Sequence, residues 1–183
     1  MPINKANKLL DIVLELQEKY NSEAFRYLYD KLSPKLYYVC LRYMKDEAEA
    51  KDALQETFVI IYEKIGLFKA VGSFEGWAKK IAVRHCIYCL KKKKINVELT
   101  EYKAPFTEQK EFDIDIEEAH VKTQLKTALQ QLPDGFRTII NLYILEGYSH
   151  PEIAEMLNIN EGTSRSQLNR AKAALRKLIS ARK

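Results

Sequence analysis

Three residues within one short stretch, His85, Cys86 and Cys89, carry side chains that could ligate a metal or cycle between thiol and disulfide. A Cys-x-x-Cys pair serves either as a redox couple or as half of a tetrahedral zinc site. The remaining ligands are missing along the chain. Both thiols fall mid-helix beside Ala82, no second pair exists, and Cys40 alone does not complete four ligands. His120 and His150 lie far off in sequence and read as surface or capping residues. Neither a glycine-rich phosphate loop nor a paired-carboxylate constellation occurs. The expectation is a protein that is not an enzyme and uses no metal or organic cofactor.

Hydrogen-bond donors point to nucleic acid instead. From Gly162 to Lys183 there are seven cations and no acid. At 100° per residue, Leu168, Ala171, Leu175 and Leu178 share one helical face. Arg165, Asn169, Lys172 and Arg176 form a second stripe, and Ser166, Arg170 and Lys177 a third. A merely solvated face normally mixes Glu with Lys. Here Glu161 stands alone at the helix start, where the dipole favours it. The first two turns are placed to read base edges in the major groove, the later cations to touch phosphates.

A second stripe interleaves rings and cations: Trp77, Lys80, Arg84, Tyr88 and Lys91, preceded by Phe68, Lys69 and Phe74. Single-stranded nucleic acid suits such a surface, since each base stacked on a ring gains about 1–3 kcal/mol while cations hold phosphates. The plainer alternative is that Phe74 and Trp77 cap a helical core. Upstream, Leu54, Phe58, Ile61 and Ile65 form an inward stripe, while Asp52, Gln55, Glu56, Val59 and Glu63 face the other way. That acidic side reads either as a solvated face or as a dock for a basic protein.

Positioning these side chains requires helices throughout, because strand alternation is nearly absent. Asn21 or Ser22 is expected to cap a helix to about Leu32, and Ser33-Pro34 to start another through Met44. Asp46 with Glu49 resembles a capping box for a helix ending near Ile65. Residues 66–72 read as a loop, and Ser73 caps a fourth helix reaching the lysine run Lys91–Lys94. Residues 95–115 hold Pro105 and weak periodicity, and read as a flexible linker; residues 95–122 carry eight acids against three cations. Helices resume near Ile116, break at Pro133-Asp134-Gly135, and stop again at Gly147. Ser149 with Glu152 forms a capping box, Asn158-Ile159-Asn160 a tight turn, and small Ala154 permits the close crossing of a helix-turn-helix.

The expected architecture is all-α: two small helical domains, 20–94 and 116–183, joined by a flexible linker, with residues 1–19 as an extension. At 183 residues, with 46% hydrophobic side chains, disorder throughout is excluded. Three cysteines are too few for a disulfide scaffold. No apolar run approaches the roughly 20 residues of a membrane span, and Asp11 and Glu15 interrupt the apolar N-terminal stretch, so no signal peptide is expected. A cytoplasmic location follows as the expectation.

The strings Asp52-Ala-Leu-Gln-Glu-Thr-Phe58, Phe74-Glu-Gly-Trp77 with Ile81-Ala82-Val83, Leu132-Pro133 and Ile153-Ala-Glu-Met-Leu-Asn-Ile-Asn-Glu-Gly-Thr163 occur in order. Together they resemble the bacterial extracytoplasmic-function (group 4) RNA polymerase sigma factors, from about Glu23 to Leu178. The resemblance implies a region 2 domain and a region 4 domain and no enzymatic activity. It implies that Asp52, Leu54, Gln55, Glu56, Phe58 and Val59 dock on the beta-prime clamp helices of core RNA polymerase, with the beta flap as a further contact. It implies that Phe68 holds a flipped base of the minus-ten element. Lys69, Phe74, Trp77, Lys80, Arg84, Tyr88 and Lys91 would then melt and hold the non-template strand. Thr163, Arg165, Ser166, Gln167, Asn169, Arg170 and Lys172 would read the minus-thirty-five element. Arg84 and Tyr88 stand where relatives often have Asn and Asp, Ser164 where they often have Val, and Gln167 where they often have a cation. An anti-sigma factor is a partner the family allows, and the free chain is expected to be monomeric. A stand-alone helix-turn-helix regulator is the alternative; such proteins usually dimerise on two half-sites. A purely structural interaction module would leave the acid-free last helix unexplained.

Overall fold

The computed structural model describes residues 5–19, 21–93, 125 and 127–180, and every regular element among them is helical. The linker 95–115 and the helix start near Ile116 lie outside the described residues. The chain divides into two compact units, one ending at Leu90 and the other beginning at Lys91. No helix among the described residues is long and apolar enough to cross a membrane.

In the first unit, α1 (Lys5–Glu18) buries Val13 and Leu16. The Gln17 side-chain amide donates to the carbonyls of Ile65 and Phe68 at 2.8 and 2.9 Å. The helix α1 is therefore part of this unit's packing. Asn21 caps α2 (Ser22–Tyr43), its Oδ1 accepting from the amides of Glu23 and Ala24. The expected break at Ser33-Pro34 is absent, and Pro34 sits exposed inside one continuous helix. The reason is phase. Leu28, Leu32, Leu36, Val39, Cys40 and Tyr43 form a single buried stripe that runs through the proline. Each fully buried leucine contributes about 1.5–3 kcal/mol, so the stripe outweighs the roughly 3 kcal/mol cost of one interior proline.

Asp46 caps α3 (Glu47–Lys64) by accepting from the amides of Ala48 and Glu49. A short 3-10 turn, Ile65–Leu67, leads into a loop with Gly72 at φ +83°. The Ser73 hydroxyl accepts from the Gly76 amide at the start of α4 (Phe74–Lys92). Lys35 on α2 and Glu75 on α4 pair at 2.7 Å.

In the second unit a helical stretch over 127–131 precedes α5 (Asp134–Ile140), which continues into a π-helical turn, Asn141–Leu145. Arg137 is buried, its guanidinium donating to the Leu132 carbonyl and pairing with Asp134 at 2.7 Å. Gly147, at φ +74°, then turns the chain. In α6 (His150–Leu157) the Glu152 carboxylate accepts from both the amide and the hydroxyl of Ser149, the expected cap. Asn158 adopts the left-handed conformation, φ 58° and ψ 50°, and ends the helix. Asn160 then caps α7 (Glu161–Ser180), with its Oδ1 2.7 Å from the Thr163 amide. Ile153, Leu157, Leu168, Ala171 and Leu175 close the core between α6 and α7.

Candidate nucleic-acid interface

The donors of α7 separate by depth. Arg165, Asn169, Arg170, Arg176 and Lys177 are exposed, while Thr163, Ser166 and Lys172 are half-buried. Gln167 is not on this surface, being only 2% exposed. It shares the inner stripe with Ser164, Leu168, Ala171 and Ala174, so helical phase overrides its polar type and its assignment as a DNA contact is corrected. The Ser166 hydroxyl bonds back to the Thr163 carbonyl at 3.0 Å. Arg165 donates to the Glu161 carboxylate one turn earlier, 3.1 Å from Nε, so Glu161 does more than favour the dipole.

His150 is buried, which corrects its reading as a surface or capping residue. Its ring stacks on Tyr143 at 4.6 Å, and Nδ1 lies 2.9 Å from the hydroxyl of buried Ser164. Burial pushes the His150 pKa below its ordinary value. Arg165 and Lys172 push the same way, while Glu161 opposes. The polar pair Ser164–His150 fastens the start of α6 to the first turn of α7. Sequence alone could have flagged Ser164 only as a polar residue in an apolar phase.

The helix α4 exposes Lys80, Arg84, Tyr88 and Lys91 along one side, with Trp77 half-buried at its head. Lys69 is exposed on the loop. Phe68 and Phe74 are 6% and 4% exposed and face inward, contrary to their assignment to a DNA surface. With Trp77 they form a three-ring cluster, centroids 5.1 to 5.6 Å apart. The Gln17 amide, bonded to the Phe68 carbonyl, holds that strand of the loop down. What the loop presents instead is aliphatic: Leu67 and Val71 are 70% and 88% exposed.

The outer side of α3 carries Asp52, Gln55, Glu56, Val59 and Glu63, all exposed. Leu54 and Phe58 are buried, as the inward stripe expects and contrary to the docking role the resemblance implies for them. Phe58 packs edge-on against Phe25 and tilted against Tyr29. Glu56 reaches α4, where its carboxylate lies 3.0 Å from His85 Nε2. The same nitrogen is 3.3 Å from the Cys89 sulfur. Deeper in, Cys40 and Cys86 are hydrogen-bonded, and that bond together with burial pushes the Cys86 thiol well up. Both belong to the apolar core.

Residues 28–95 match the sigma-70 region 2 family and residues 122–175 the sigma-70 region 4 family. The chain is 32% identical over 172 residues to the ECF RNA polymerase sigma factor SigW of Bacillus subtilis, covering 88% of this chain and 92% of that one. It is 27% identical to the RNA polymerase sigma-H factor of Pseudomonas aeruginosa, covering 91% and 92%. Among solved structures, the fold is similar to the sigma factor RpoE of Bartonella quintana, in complex with the anti-sigma factor NepR. The TM-score there is 0.54 at 19% identity, covering 85% of this chain and 96% of that one. It is also similar to CnrH in complex with the cytosolic domain of CnrY, with TM-score 0.50 at 20% identity, covering 93% and 96%.

Proposed function

The chain belongs to the extracytoplasmic-function sigma factors, non-enzymatic proteins that direct RNA polymerase to promoters, and from that premise we propose how its two units divide the work. The exposed row Arg165, Asn169 and Arg170 reads base edges of the minus-thirty-five element, with Thr163, Ser166 and Lys172 beside it. Arg176 and Lys177 touch phosphates further along. Arginine forks match guanine edges, and an asparagine amide matches adenine. The α4 side with Lys80, Arg84, Tyr88 and Lys91, together with Trp77 and Lys69, holds the minus-ten non-template strand. Tyr88 offers a ring for stacking and the cations offer charge.

Asp52, Gln55, Glu56 and Val59 dock on the beta-prime clamp helices, and the second unit meets the beta flap. The work is cytoplasmic, and the free protein is monomeric. Both solved structures of similar fold hold a second chain, which for the sigma factor RpoE is the anti-sigma factor NepR, and this chain takes a partner of that kind.

The observation that carries the reading is the last helix: after Glu161 its outer surface bears donors and no carboxylate. Run-off transcription with core polymerase on genomic template tests it. The expected result is a set of start sites sharing two upstream elements. No start site above the level of core enzyme alone overturns the proposal.

A further inference from the structure

We propose that Glu56, His85 and Cys89 form a divalent-metal site for zinc, between α3 and α4. Their ligand atoms, a carboxylate oxygen, Nε2 and Sγ, all lie within 4.8 Å of one another. Two of the three contacts are tighter, at 3.0 Å between Glu56 and His85 and 3.3 Å between His85 and Cys89. A tetrahedral zinc ion with bonds of about 2.0–2.3 Å sets its ligands roughly 3.3–3.8 Å apart, so small side-chain rotations suffice. His85 and Cys89 stand four residues apart on α4, the spacing that puts two ligands on one helical face. One oxygen, one imidazole nitrogen and one thiolate is a borderline-soft set that selects zinc over magnesium or calcium.

Depth also fits. The His85 side chain is 6% exposed and therefore held in place, whereas that of Glu56 is 65% exposed and opens the site to solvent. The ion enters from the Glu56 side, and water completes the fourth position. The thiol proton leaves to solvent on binding, so affinity rises with pH. Cys86 is excluded as a ligand by its burial against Cys40. A loaded ion would tie the Glu56 carboxylate to α4 and withdraw it from a basic partner. That consequence alone rests on the docking reading, so the metal is tested without polymerase.

The full chain is titrated with zinc against a chromophoric chelator, and in parallel with cobalt(II). The expected result is one equivalent bound, with a thiolate-to-cobalt charge-transfer absorption. Cys89→Ser abolishes that absorption. Both Cys89→Ser and Glu56→Gln weaken zinc by more than the roughly 10–100-fold typical of outer-shell changes. Neither position is buried, so both variants keep the fold, which circular dichroism checks. Failure of the parent to take up one equivalent overturns the site. So does undiminished affinity in either variant, because the three-ligand assignment needs both.

Discussion

Single side chains carry three measurable consequences. His150 is held neutral by burial beside Arg165 and Lys172, so its folded pKa lies below the ordinary 6.5. The unfolded chain then binds the proton first. Stability contributed by this ring is complete above about 6.5 and falls as pH drops through the interval beneath it. Urea midpoints followed from pH 7 to pH 5 should fall for the second unit, and His150→Gln should flatten that slope relative to the parent. Glu161 competes with DNA for Arg165 through an exposed pair. Exposed i,i+4 pairs are worth about 0.3–0.5 kcal/mol. Glu161→Gln should therefore tighten promoter binding by holoenzyme about twofold, and an unchanged affinity would show that Arg165 does not touch DNA. Arg170→Ala should cost about 1–3 kcal/mol at one base pair of the upstream element. Equal loss on every sequence would assign that arginine to phosphate.

At the scale of elements, α2 and the loop before α4 show how packing settles what propensity leaves open. Pro34 is exposed within a helix that its buried stripe holds together. Replacing it removes a penalty of roughly 3 kcal/mol and returns up to about 1 kcal/mol of chain entropy to the unfolded state. Pro34→Ala should thus stabilise the first unit by about 2 kcal/mol, read from its urea midpoint. Gln17 ties α1 to the 3-10 turn and to Phe68 through two carbonyls. At about 0.5–1.5 kcal/mol per bond, Gln17→Ala should destabilise the first unit by about 1–3 kcal/mol. Faster amide exchange across residues 65–72 should accompany the loss. Unchanged exchange there would mean that the ring cluster holds the loop without α1.

For the whole molecule, charge is distributed rather than large. The net is +5, yet residues 162–183 hold seven cations without an acid, and residues 95–122 are acidic. Promoter affinity should fall linearly on logarithmic axes with salt, each phosphate contact adding about 0.9 to the slope. Arg176→Ala should lower that slope by about one, with little change in sequence preference. Charge reversal at Asp52, exposed on the acidic side of α3, should weaken capture of core polymerase while leaving DNA binding by α7 intact. Equal capture by Asp52→Lys and parent would remove that face from the docking surface.

Much of this molecule is legible in its sequence. The two-unit helical architecture, the caps at Asn21, Asp46, Ser73 and Ser149, the left-handed turn at Asn158 and the exposed cations of α7 all follow from local rules. Periodicity and capping act within a few residues, so residue types and spacing suffice. Leu54 and Phe58 lie in the inward stripe that periodicity already gives, and Gln167 falls on the inner side of α7 by helical phase despite its polar type. Phe68 and Phe74 are different: their burial is decided by neighbours distant in the chain, and residue type could not reveal that α1 pins the loop. The same holds for Glu56, His85 and Cys89. Two of them share a helical face that spacing predicts, but the third ligand arrives from another helix, and only the packing of α3 on α4 brings it within reach.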